Sequence, residues 1–193
     1  MSNAQPIADF LRLKREYDTL TLLGKGPSLD KYDPDNHAEG YVLGLNEVPL
    51  VLPCHYGFYL DRSLRVLNYP KHVVTFRHAA NRSEHEGRGF YFTPWNMDQL
   101  TGEPSELPRF GSGSGTFALA LMGEWGIKRV IFWGFDCMLH PLAGCPRNGK
   151  AVYANCVKDV CQFNTCSWTY DAVARGTRNV IRHYKFWVEF HHA

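Results

Sequence analysis

Two glycine-containing turns and one acidic strand end hold the residue types best suited to chemistry. The first turn is Gly24-Lys25-Gly26-Pro27-Ser28, directly after a short apolar run. Glycines there let backbone approach a ligand, and a helix start at Pro27 and Ser28 offers N–H groups to a phosphate. Lys25 could add a positive charge. The spacing is not that of a Walker loop, and the third glycine of a GxGxxG fingerprint is missing. The second turn, Gly111-Ser112-Gly113-Ser114-Gly115-Thr116, runs into an apolar segment of helical character. Its glycines and hydroxyls could supply donors to an anion at a helix N-terminus, or Ser114 or Thr116 could serve as an ordinary N-cap.

The acidic strand end is Asp136, which closes the most hydrophobic strand-like run of the chain. A carboxylate there could bind a ribose hydroxyl, hold a metal, act as a base or cap the next turn. Asp61 closes another strand-like run with the same options. His140, four residues beyond Asp136, could titrate near neutral pH and act as a base. Arg147, Lys150 and Tyr153 follow in the same stretch and could meet a leaving phosphate.

The cysteines point elsewhere. Of six, Cys137, Cys145, Cys156, Cys161 and Cys166 crowd together, but no CxxC pair is present. Spacings of five put sulfurs on different faces of a helix or strand, so a regular zinc site does not follow. Reduced thiols packing as small hydrophobes are the plainer expectation. Nor does the spacing of Cys137 and His140 support thiol catalysis.

The elements that must position these residues alternate. Apolar β-rich runs at 19–23, 41–45, 56–60, 72–76, 89–92, 129–133 and 185–190 predict strands. Segments 7–17, 117–125 and 167–184 predict helices, with Gly126 as a stop. Residues 137–160 hold prolines and glycines with little periodicity and predict a long irregular loop of functional type. The pattern predicts one α/β domain over 1–193, Rossmann-like, with a mainly parallel sheet flanked by helices. In such sheets ligands bind beyond the carboxyl ends of strands, where Gly24–Ser28, Asn46, Asp61, Arg77–His78, Gly111–Thr116 and Asp136 fall.

Composition narrows the function classes. The chain has 193 residues, 45% hydrophobic and 21% charged, the balance of a globular protein rather than a disordered one. Its 21 basic against 19 acidic side chains leave a net charge of +2, which argues against gripping long nucleic acid by phosphate contacts alone. No apolar run reaches the roughly 20 residues of a membrane span, and no export signal is visible. A cytoplasmic protein is expected.

Several short segments together resemble a known superfamily. Leu22-Leu23-Gly24-Lys25-Gly26-Pro27-Ser28-Leu29 resembles the opening motif of bacterial lipooligosaccharide-type sialyltransferases and of 6-hydroxymethylpterin pyrophosphokinase-like domains. Leu45-Asn46 is similar to their second strand end, and Ser114-Gly115-Thr116 to their loop before a helix. Val130-Ile131-Phe132-Trp133-Gly134-Phe135-Asp136 resembles a later strand, and Asn148-Gly149-Lys150-Ala151-Val152-Tyr153 the segment after it. The matches keep their order over 20–153. The resemblance implies a Rossmann-like fold holding a nucleotide between Gly24, Lys25, Gly26, Pro27, Ser28, Asn46, Gly113, Ser114, Gly115 and Thr116. In the sialyltransferases that nucleotide is CMP bearing a sugar, no metal is needed, tyrosines steady the leaving phosphate and a histidine takes the acceptor proton. This chain has Lys25 in place of the family's asparagine, Met138 near its second tyrosine and no histidine across 164–167.

The leading expectation is a glycosyltransferase-like enzyme that moves a sugar from a nucleotide-activated donor to an acceptor hydroxyl. Asp136, His140 and Tyr153 are its candidate catalytic residues, and no cofactor is required. A saccharide is the first choice of acceptor and a modified nucleic-acid base the second. The alternatives are a pyrophosphokinase or phosphotransferase using Mg²⁺ on Asp61 and Asp136, and a nucleotide-binding protein without turnover. So short a chain has little material for an acceptor domain, which argues for a homo-oligomer.

Overall fold

The computed structural model describes residues 4–59, 69–78, 89–92, 113–136, 153–160 and 167–193. Eight strands form one parallel sheet: β1 (Ala4–Pro6), β2 (Thr19–Leu23), β3 (Tyr41–Leu45), β4 (Tyr56–Tyr59), β5 (Val74–His78), β6 (Gly89–Phe92), β7 (Arg129–Trp133) and β8 (Trp187–Phe190). Their order is β1-β6-β5-β4-β3-β2-β7-β8, and every pairing is parallel. The chain is therefore a Rossmann-like α/β protein, as its pattern predicts.

The topology locates a ligand crevice. From β2 the chain steps outward through β3, β4, β5 and β6, then returns to place β7 on the other side of β2 and β8 beyond it. The connections leaving β2 and β7 thus run in opposite directions. That reversal is the switch point beside which open parallel sheets bind ligands. The turn at Gly24 follows β2 and Gly134–Asp136 follows β7.

Alternating side chains split into two cores. On one face Leu20, Leu22, Leu43, Leu45, Phe58, Phe76, Phe90, Val130 and Phe132 pack against the helices. Helix α1 (Ile7–Leu11) contributes Phe10, whose ring lies 4.4–5.8 Å from those of Tyr56, Phe76, Phe90 and Trp125. The other face carries Leu23, Val42, Ile131 and Trp133, covered by the 3-10 turn Pro27–Lys31, by the 3-10 turn Val48–Leu50 and by a short later helix. Between them lie helix α2 (Pro34–His37) and its N-cap Asp33.

Helix α3 (Ser114–Glu124) is buried from Gly115 to Met122, which explains why its sequence shows no amphipathic stripe. It ends as expected at Gly126. With φ at +92°, Gly126 lets Ile127 N–H reach the Met122 carbonyl at 3.0 Å while its own N–H bonds Gly123 at 2.9 Å, a Schellman closure. Helix α4 (Asn155–Lys158) lies within the stretch expected to be wholly irregular, and helix α5 (Ser167–Tyr184) matches its expected bounds. Gly123 has no side chain because a Cβ there would sit 2.5 Å from the Tyr184 ring, so α3 and α5 meet at contact distance.

Several expected boundaries need correction; the last strand, for one, begins at Trp187 rather than 185. The first helix ends at Leu11 rather than 17. Past that point tertiary partners take the backbone groups a helix would use: the Trp125 indole donates to the Leu13 carbonyl at 3.0 Å, and Glu16 N–H donates to the Tyr41 hydroxyl at 2.8 Å. The fourth expected strand slides from 72–76 to Val74–His78, because Val73 N–H closes a turn on Pro70 and pairing with β4 starts at Val74. The strand β1, polar and without β signals, arises only from its pairing with β6. No helix among the described residues is long and apolar enough to cross a membrane.

Candidate functional site

Most of the candidate residues meet at the carboxyl ends of β2, β3 and β7. The Gly24 turn is held against the end of β7 by main-chain bonds, Gly24 N–H to Trp133 O at 2.7 Å and Gly26 N–H to Gly134 O at 2.8 Å. The approach is so close that a Cβ on Gly24 would lie 2.5 Å from the Gly134 carbonyl oxygen. Gly134 itself has φ at +74°, which L side chains rarely adopt.

Ser28 and Asp136 form the next link. Ser28 donates its N–H and its hydroxyl to the same Asp136 oxygen, at 2.9 and 2.8 Å. The Ser28 hydroxyl also accepts from Gly134 N–H at 2.8 Å, and Asp136 Oδ1 accepts from Ala193 N–H at 2.9 Å. Both side chains are buried, Asp136 with 1% exposure. A carboxylate so satisfied fastens the strand ends together, and it is not aimed at a solvent-borne acceptor.

A second chain of contacts joins β3 to α3. Asn46, just past β3, has φ at +52°, a conformation asparagine tolerates better than most residues. Ser114 donates to Asn46 Oδ1 at 3.2 Å, and the Tyr69 hydroxyl donates to the Asn46 carbonyl. Burial, then the neighbouring Tyr59 and the charge of Glu47, push the Tyr69 phenol well up, so it remains a donor at physiological pH. Ser114 is thus not the cap of α3. Gly113 is the N-cap and has no side chain with which to bond the N–H groups of the first turn. Thr116 turns inward, its hydroxyl 3.2 Å from that of Thr177 on α5. The ring of Phe135 lies between the two glycine segments, 3.0 Å from a Cβ built on Gly24 and 3.1 Å from one built on Gly115.

Lys25 spans the two groups. Its ammonium bonds Glu47 Oε2 at 2.9 Å and lies 4.8 Å from the centre of the Tyr153 ring. Ala154 N–H donates to the Lys25 carbonyl at 2.8 Å, drawing the segment after Tyr153 onto the turn. Below it, Asp30 accepts from Asn155 and Cys156 N–H at 2.8 and 3.0 Å and so caps α4.

Burial sorts the candidates. Lys25, Gly26, Pro27, Asn46, Gly113, Ser114 and Tyr153 are half-buried and can meet a ligand. Gly24, Ser28, Gly115, Thr116 and Asp136 are buried and hold the others in place. His140, Asp61, Arg147 and Lys150, with Gly111 and Ser112, lie outside the described residues. Glu47 and Phe135 were not foreseen as parts of the site. An acidic residue next to Asn46 and an aromatic inside the glycine-closed strand were the available signals, but their partners are distant in sequence. Among the described residues no group of three metal-binding side chains occurs, and Cys54 and Cys156 carry free thiols; the other cysteines lie outside them.

The fold defines a Rossmann-like α/β protein, with the described candidate residues gathered beyond the strand ends at the β2/β7 reversal. No family model matches the chain, and no curated protein matches it at a significant level.

Proposed function

We propose that the protein binds a nucleotide and transfers a sugar from a nucleotide-activated donor to an acceptor hydroxyl. The observation that carries the nucleotide half is the bond from Ser114 to Asn46. It joins the start of α3 to the end of β3, within the contact network that reaches the Gly24 turn through Lys25–Glu47 and Phe135. The N-terminus of an eleven-residue helix favours a phosphate, and Asn46 and Ser114 offer side-chain bonds beside it.

Within this proposal Tyr153 steadies the departing phosphate, helped by Arg147 or Lys150, since negative charge grows there. The filled carboxylate of Asp136 is a positioning group, and His140 takes the role of base. The transferase reading itself draws on the motif resemblance. A phosphotransferase with Mg²⁺ on Asp136 ranks lower, because both oxygens of that carboxylate already accept hydrogen bonds.

A thermal-shift panel of nucleoside mono- and diphosphates tests the reading. At least one nucleotide is expected to raise Tm saturably. Ser114→Ala and Asn46→Gly, the latter keeping the positive φ accessible, are each expected to weaken that binding about tenfold, the equivalent of roughly 1.4 kcal/mol. Absence of any nucleotide shift overturns it. Binding with no turnover across sugar nucleotides favours the non-catalytic alternative, and turnover abolished by EDTA favours phosphoryl transfer.

A further inference from the structure

The second face of the sheet holds a buried charge with no hydrogen-bond partner among the described residues. Arg77, near the end of β5, is fully buried, with 0% exposure. Among the described residues none of its guanidinium nitrogens, Nε, Nη1 or Nη2, has a hydrogen-bond partner. Two residues earlier on the same face, the Thr75 hydroxyl is also buried and unpartnered. Both groups converge on Gly89 of β6, which pairs with Thr75 in the sheet. A Cβ on Gly89 would lie 2.3 Å from Thr75 Oγ1 and 3.1 Å from Arg77 Nη2. The glycine therefore keeps a polar corner free of side chain.

A guanidinium in a protein keeps its charge, so neutralisation offers no relief at this position. A buried charge without a partner is strongly unfavourable, and native structures rarely leave one so. A guanidinium presents a planar fork of donors matched to two oxygens of one anion, and a hydroxyl beside it adds a third donor. The flanking register partners are the tyrosines 59 and 91, neither of them an acidic side chain.

We propose that Arg77 and Thr75, over Gly89, form a buried receptor for an oxyanion, a carboxylate or phosphate group carried by a small ligand. The receptor lies two strands from the end of β3, about 10 Å at ordinary strand spacing. It is joined to the candidate cleft through Tyr59, the register partner of Arg77, whose ring meets that of Tyr69, the residue that donates to Asn46.

The test is thermal stability of the full chain in inorganic phosphate, acetate or chloride at matched ionic strength. Phosphate or acetate is expected to raise Tm saturably above chloride, and the stronger of the two identifies the anion class. Arg77→Met is expected to abolish that shift while raising Tm in chloride, since the unpaired charge is gone. Thr75→Val, which keeps the charge and the shape, is expected to weaken the anion several-fold and decides the matter if Arg77→Met does not fold. The proposal is overturned if neither anion exceeds chloride, if Arg77→Met keeps the shift, or if Thr75→Val leaves the anion affinity unchanged.

Discussion

Ser28 gives both its N–H and its hydroxyl to one oxygen of Asp136, 108 residues away in sequence, at 2.9 and 2.8 Å. The same hydroxyl accepts from Gly134, so one side chain ties the turn after β2 to the turn after β7. Ser28→Ala leaves a buried carboxylate oxygen and a buried N–H short of partners. A loss of about 2–3 kcal/mol is expected in urea unfolding. At temperatures where the variant is folded, its nucleotide affinity should fall less than that of Ser114→Ala. Unchanged stability with abolished binding would place Ser28 in contact with the ligand instead.

The Lys25–Glu47 pair is a second link, between a nearly buried ammonium and a carboxylate with no exposure. Removing one member of such a pair is expected to cost about 3 kcal/mol, because the other loses this charge-assisted bond in a buried setting. A double-mutant cycle of Lys25→Met and Glu47→Gln is expected to give a coupling of about 1–3 kcal/mol. Additive effects would mean the pair does not set the geometry of the turn.

Asp30 offers a pH-dependent test. Desolvation, the largest single influence, works against its charge, but the bonds from Asn155 and Cys156 together outweigh it and hold the carboxyl below its ordinary range. A lowered folded pKa means that the stabilisation is present above the unfolded value, about 3.9, and is lost as pH falls through the folded one. Asp30→Asn should therefore lower Tm at pH 6–8, and the gap to the parent should narrow as pH falls below the unfolded value. A gap that does not narrow there would show that the carboxylate charge is not what caps the helix.

The thiols separate by burial. Burial pushes the Cys54 thiol up to about 12, against a hydrogen bond from Gly44. At pH 8 iodoacetamide should leave Cys54 unmodified in the folded protein and label it in urea, as read by peptide mass spectrometry. Cys156 is exposed and should react in the folded state, slowed because burial of the sulfur and the charge of Asp30 raise its thiol. Rapid native labelling of Cys54 would contradict the packing around β3.

Much of the fold was legible because its signals are local. The strands at 19–23, 41–45, 89–92 and 129–133 fall where the apolar β-rich runs end. Gly126 stops α3 because only the left-handed conformation lets Ile127 reach back to Met122. The glycine turns and Asn46 were visible as small or polar residues closing strands, and the alternation with helices implied that all close at one edge.

What tertiary structure decided is which of those residues face a ligand and which face each other. Ser28 and Asp136 look like donors and acceptors for substrate in the sequence, yet packing of β2 beside β7 turns them upon one another. Thr116 is likewise spent on Thr177, while Ser114, two residues earlier, points to Asn46. Arg77 marked only the end of a strand in sequence. Its fully buried guanidinium over Gly89 follows from the pairing of β5 with β6. Residue type and spacing fix what a segment can form, because propensity and periodicity act within a few residues. Hydrogen-bond partners and burial depend on strand order, which is set by contacts a hundred residues apart.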